Sequence, residues 1–192
     1  MSELSDDEAD WALAVHGDGE AFGRVFDRHR DRVRRHSLRL VPDVGDAEDV
    51  VAVTFLEAWR KRDAVRFVNG SMLPWLLVTA TNAARNLSRA HRRHRILLDR
   101  LPAPVPHPDH AEAFDDGPAT AALLRLPAAD QQVIALCVLH GYSEADAAAA
   151  LGVAPGTVKS RLSRAKSRLA RRLGENDGAS TRTIRGETSH EY

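Results

Sequence analysis

Pro102, Pro104, Pro106 and Pro108 recur at every second position, and Pro118 follows. A proline ring fixes φ and removes the backbone donor, so neither a regular helix nor a central strand can run through such a stretch. His107, Asp109, His110, Glu112, Asp115 and Asp116 also make it polar. Residues 100–118 therefore read as an extended, flexible linker that divides the chain into two units, 1–99 and 119–173. A last stretch, 174–192, is rich in Gly, Ser, Thr and charge and is expected to be disordered. Two small helical domains fit a chain of 192 residues.

The formal net charge is zero, which by itself argues against a nucleic-acid partner, but the charge is segregated into blocks. Residues 1–22 carry seven acids and no Lys or Arg. Residues 58–100 carry ten Lys/Arg against two acids, and residues 155–173 carry seven with no acid. Such blocks imply separate partners on separate faces. No apolar run is long enough to span a membrane, and the acidic N-terminus has no apolar stretch of the kind a signal peptide needs. Cys137 is the single cysteine and lies in the apolar run Ile134–Leu139, so it reads as a small core hydrophobe. A reducing, cytoplasmic location is expected. His107 and His110 have no further ligands at metal spacing. Without a Gly-rich phosphate loop, a Cys/His cluster or a nucleophile motif, neither an enzyme nor a cofactor is expected.

Both units read as all-α. Ala, Leu and Arg dominate, and strand-like alternation is scarce. Ser5 to Glu8 form a capping box opening a first helix with Trp11, Leu13 and Val15. A second helix is expected from about Glu20 to Val41, stopped by Pro42. Asp46 is expected to cap a third, whose apolar stripe is Val50, Val51, Phe55, Ala58 and Trp59. A loop with Asn69, Gly70 and Ser71 precedes a fourth helix from about Pro74 to Arg95, increasingly basic toward its end. Trp11, Trp59 and Trp75 read as core residues. In the second unit, helices are expected over about 119–126 and from Pro127 to before Gly141, then from Ser143 to Gly152 and from Pro155 to about Leu173.

The last two of these helices form a helix-turn-helix around Gly152, Val153 and Ala154. Ala147 and Ala148 are small enough for close helix approach. Val158, Leu162, Ala165 and Leu169 recur on one face of the final helix. The other face presents Lys159, Ser160, Arg161, Ser163, Arg164 and Arg168, with Thr157 at the helix start, where backbone N–H groups favour phosphate. A major-groove reader needs this division, with base contacts near the N-terminus and phosphate contacts farther along. On the fourth helix, Asn82 and Asn86 lie four residues apart on one face, and amide side chains can read base edges.

In their order, these motifs resemble the extracytoplasmic-function (group IV) sigma factors of the sigma-70 family. Asp46 to Trp59 is similar to region 2.2 and Asp18 to Phe22 to the segment before it. Pro74 to Asn86 is similar to regions 2.3–2.4. Leu126-Pro127, Gln131 to Ile134, Gly141 to Ser143 and Gly156 to Lys166 are similar to region 4. The resemblance covers roughly residues 8–173. It implies that the chain binds core RNA polymerase, recognises the −35 and −10 promoter elements and melts DNA with binding energy alone. It implies further that Asp46, Glu48 and Asp49 dock on the β′ coiled coil and that region 4 meets the β flap. Ala52 and Val53 stand where many members have Gln-Glu, which removes two polar contacts from that dock. By the same resemblance, Asn69, Gly70 and Ser71 lie where the family holds a flipped base, and Asn82 and Asn86 read the −10 element. Arg85 and Arg89 hold phosphates beside them, and Lys159, Ser160, Ser163 and Arg164 read the −35 element. An anti-sigma factor is a common partner in the class. LuxR-type regulators share a similar Gly-Thr-Val-Lys helix, so a DNA-binding regulator with no polymerase dock is the alternative.

Overall fold

The computed structural model describes residues 5–98 and 118–184, which are helical apart from short turns. The first unit contains α1 (Asp6–Val15), α2 (Gly19–Ser37), α3 (Val44–Arg60) and α4 (Leu73–Leu98). The second contains α5 (Pro118–Leu124), α6 (Ala128–Ile134), α7 (Glu144–Leu151) and α8 (Pro155–Ile184).

Local chemistry sets the boundaries. Ser5 and Glu8 form the expected reciprocal capping box on α1. The α2 helix ends at Ser37, before Pro42, and Leu38–Val41 continue as hydrogen-bonded turns. The α3 helix starts one turn earlier than expected. Its N-cap is Asp43, in extended backbone, and the Asp43 carboxylate accepts from the Asp46 N–H. Asp46 is therefore a first-turn residue rather than the cap. The proline-rich stretch through residue 117 lies outside the described residues, whereas Pro118 opens α5, where its missing N–H costs no hydrogen bond. After Ile134, α6 continues as one π-helical turn, Ala135–Leu139, with the His140 N–H donating to the Ala135 carbonyl. The α8 helix runs to Ile184, past the stop expected near Leu173; 185–192 lie outside the described residues.

The first core is built where α2, α3 and α4 meet: Val25, Val33, Val50, Phe55, Met72, Leu76 and Leu77 are buried. Of the tryptophans read as core, Trp11 and Trp75 are buried, but Trp59 is 37% exposed. Its ring meets Phe22 edge-on at 5.6 Å and lies under the Arg62 guanidinium. The second core packs α5, α6 and α7 on α8, with Val133, Ile134, Leu136, Ala147, Val158 and Ala165 buried. Cys137 is half-buried against this core, and burial raises its thiol pKa. The two units also touch: α4 packs on α6, on the π-turn and on α7. Among the described residues no helix is long and apolar enough to cross a membrane, and no cluster of metal-ligating side chains occurs.

Candidate nucleic-acid interface

The turn bearing Asn69, Gly70 and Ser71 is held from below by a buried carboxylate. Val68 and Ser71 bridge each other, Asn69 and Gly70 both take positive φ (51° and 74°), and the chain reverses within four residues. Asp7, only 4% exposed, accepts from Ser71 Oγ (2.9 Å) and the Met72 N–H (3.0 Å). It also accepts from His29 Nε2 and Arg28 Nη1, both at 2.7 Å. Burial opposes the Asp7 charge, but the hydrogen bonds from His29, Arg28 and Met72 outweigh it and hold the carboxyl well below the usual range. Arg28 also pairs with Asp10, and Ser5 Oγ donates to the Gly70 carbonyl. The turn is thus clamped to α1 and α2. The sequence reading missed this network, because Asp7 and Asp10 were indistinguishable from ordinary first-turn acids. The one available signal was His29, a polar group on the buried stripe of α2.

Of the four candidate readers on α4, Asn86 and Arg89 are exposed, while Asn82 and Arg85 are half-buried. Burial and the neighbouring Arg89 lower the Arg85 pKa. Two of the amides are engaged by the second unit. Gln132 Nε2 donates to Asn82 Oδ1 (2.9 Å), and Asn69 Nδ2 donates to Asp146 Oδ1 (3.1 Å). Deeper in the same junction, Thr81 Oγ1 donates to the Leu77 carbonyl and so accepts from His36 Nε2. The second nitrogen of His36 is then an acceptor, and His140 Nε2 donates to it at 3.0 Å. Burial, His140 and Arg39 push the His36 pKa down to about 3, and burial and Arg39 lower that of His140. Neither histidine carries a local sequence signal of this contact, which joins residues 104 positions apart.

The helix-turn-helix forms as expected. Ser143 caps α7, and Gly152 ends it in the left-handed region (φ 65°). Ala147, Ala148, Val158 and Ala165 are buried between α7 and α8, while Lys159, Ser160, Ser163 and Arg164 stand exposed together on the opposite face. Ser160 Oγ donates to the Thr157 carbonyl and Arg164 Nε to the Ser160 carbonyl, which lays the arginine along the helix. Thr157 and Arg161 flank this face, half-buried. Arg168 is not grouped with it: its guanidinium donates to Asp130, tying α8 to α6.

The carboxylates of α3 divide in the same way. Asp46 is turned toward His91 on α4 (3.5 Å); burial raises its pKa and His91 opposes that. Exposed Glu48 pairs with Arg34 (2.5 Å), and Asp49 is exposed with no ion pair among the described residues. Beyond them the outer face is apolar: Val53 is 44% and Leu56 56% exposed. Leu56 and Trp59 edge a 580 Å³ groove floored by Phe22, Phe26 and Phe55.

Comparison with known proteins fits this geometry. Residues 25–94 match the family model "Sigma-70 region 2", and residues 118–169 match "Sigma-70, region 4". The ECF RNA polymerase sigma factor SigM of Mycobacterium tuberculosis is 35% identical over 165 residues, covering 84% of this chain and 83% of that protein. The RNA polymerase sigma factor CarQ of Myxococcus xanthus is 31% identical, covering 83% of this chain and 92% of that protein. Among solved structures, CnrH in complex with the cytosolic domain of CnrY aligns with a TM-score of 0.58 at 27% identity, over 89% of this chain and 99% of that one. The chain belongs to the extracytoplasmic-function sigma factors of the sigma-70 family. It is a transcription-initiation factor and not an enzyme.

Proposed function

We propose that the first unit docks on core RNA polymerase through the outer face of α3. Asp49, Val53, Leu56 and Trp59 are exposed together there, and an apolar strip with carboxylates at one end suits a basic amphipathic helical partner. Ala52 and Val53 replace polar contacts with apolar ones, so this dock depends less on salt than one built from charge pairs.

Lys159, Ser160, Ser163 and Arg164 read the −35 element from the major groove, and Asn69, Gly70, Ser71, Asn82 and Asn86 take the −10 element. Arg85 and Arg89 contact its phosphates. The observation that carries this reading is the hydrogen bonding of Asn69 and Asn82 to Asp146 and Gln132. Each amide keeps free donors and acceptors, but α6, the π-turn and α7 pack on α4 beside them, so the two units must part before a DNA strand reaches this face. Polymerase binding supplies that separation, and tethering then makes each DNA contact effectively intramolecular. CnrH is seen with the cytosolic domain of CnrY, and an anti-sigma factor, a common partner in the class, is expected to compete with polymerase for this chain.

The test is run-off transcription with purified core polymerase and a genomic promoter library. Transcripts that require this chain and share two promoter elements are expected, and Asn82→Ala/Asn86→Ala should lose those selected at −10. DNA binding without any polymerase-dependent transcript would instead favour a stand-alone regulator.

A further inference from the structure

The junction between the two units forms an open, polar cleft of about 470 Å³, unlike the apolar groove on α3. Arg32 and Arg35 on α2 and Arg39 just after it line one side. His140 and Tyr142 line the other, with His36 between them. No carboxylate of the described residues lines it. Elsewhere on α2, Arg24, Arg28 and Arg34 each reach a carboxylate, whereas Arg32, Arg35 and Arg39 have no ion pair among the described residues. The three guanidiniums are exposed, so water and salt screen their repulsion, but they line one cleft with no counter-charge and leave it positive. The two histidines do not add to that charge, because the field and their burial keep both rings neutral.

We propose that this cavity binds a small phosphorylated ligand of the nucleoside di- or triphosphate class. Guanidiniums are the side chains best matched to phosphate oxygens, through paired N–H donors. The volume exceeds what inorganic phosphate fills and lies within the usual range for small-molecule sites. Leu73, Leu139 and the half-buried Tyr142 ring supply the apolar surface a base requires. A duplex is excluded, because the walls come from both units in contact. Since both units contribute, the ligand binds the closed arrangement and holds it in proportion to its concentration. Resting on the reading of Asn69 and Asn82 given above, it therefore opposes promoter recognition.

Titration calorimetry on the free, full-length chain tests the site without relying on transcription. ATP is expected to bind one to one, and adenosine not at all. Arg35→Ala/Arg39→Ala should weaken ATP at least about tenfold, the loss of roughly one good contact. Arg30→Ala, which removes an exposed arginine of the same helix that is paired with Asp31, should leave binding unchanged. Circular dichroism of each variant verifies that the helices are intact. Absence of ATP and GTP binding at about 1 mM ligand would overturn the proposal. So would equal weakening by Arg30→Ala. A short single-stranded oligonucleotide that binds through Arg35 and Arg39 while ATP does not would show these arginines to be a further DNA contact instead. If ATP binds as expected but leaves run-off transcription unchanged, the site stands and its regulatory role fails.

Discussion

The two units hold their candidate DNA-reading elements by opposite means. In the first, a turn with two positive-φ residues rests on a buried carboxylate whose oxygens take four hydrogen bonds, from Arg28, His29, Ser71 and Met72. In the second, the reading half of the helix rests on alanines and valines, its ion pair with α6, Arg168 to Asp130, lies farther along, and its turn needs only the left-handed Gly152. Apolar packing is non-directional and tolerates small shifts. A buried charge holds one geometry and is expensive to leave half-satisfied. An irregular loop that must present particular atoms needs the second kind of support, whereas a helix is already rigid.

The sharpest way to break this contrast is Asp7→Ala. It takes the Asp7 partner from His29, Ser71 and the Met72 N–H and leaves Arg28 with Asp10 alone, and should cost about 3–5 kcal/mol of stability in urea unfolding. An effect below about 1 kcal/mol would show that the network is not a support.

Acid should act next, on the junction. His36 titrates at about 3 against an ordinary value of 6.5, and the His140 pKa is also lowered. Opening exposes His140 and the side of His36 that it covers, so the closed form binds fewer protons than the open one. Closure is at full strength above about pH 6.5 and is lost as pH falls, by up to about 1.4 kcal/mol per unit for each group fully released to water. Arg32, Arg35 and Arg39 face the same cavity and act in the same direction. Small-angle scattering between pH 7.5 and 5.5 should show expansion at the acid end, and His140→Ala should flatten the trend.

Gly152→Ala places a Cβ at φ 65°, against the movable guanidinium of Arg66, and should destabilise the second unit by about 1–2 kcal/mol. Asn82→Ala, the mildest change, removes one hydrogen bond from the junction and should loosen closure by about 0.5–1.5 kcal/mol without altering thermal stability.

What was legible in the sequence follows the same division. Apolar periodicity and turn residues located eight helices and the helix-turn-helix, because burial at helical spacing and a left-handed glycine are local signals. Misplaced ends had local causes too: Asp43 cannot be told from Asp46 as a cap by residue type, and the junction with α6 and α7 leaves no periodic trace on α4. Trp59 reads as a core residue because large aromatics mostly are, whereas it edges an open groove. The support of the 69–71 turn and the pairing of Asn69 and Asn82 with the second unit rest on polar contacts 50 or more residues apart, which no local pattern reports.

The central claim is that the second unit holds Asn69 and Asn82 in the free chain and releases them on polymerase. Spin labels at His94→Cys and Glu144→Cys, exposed positions outside the proposed DNA contacts, in a chain with Cys137→Ala, measure the separation of α4 and α7 directly by pulsed dipolar spectroscopy. A short, narrow distance in the free chain that gives way to a long one on core polymerase is predicted. The same short distance in both states, with transcription intact, would contradict the account.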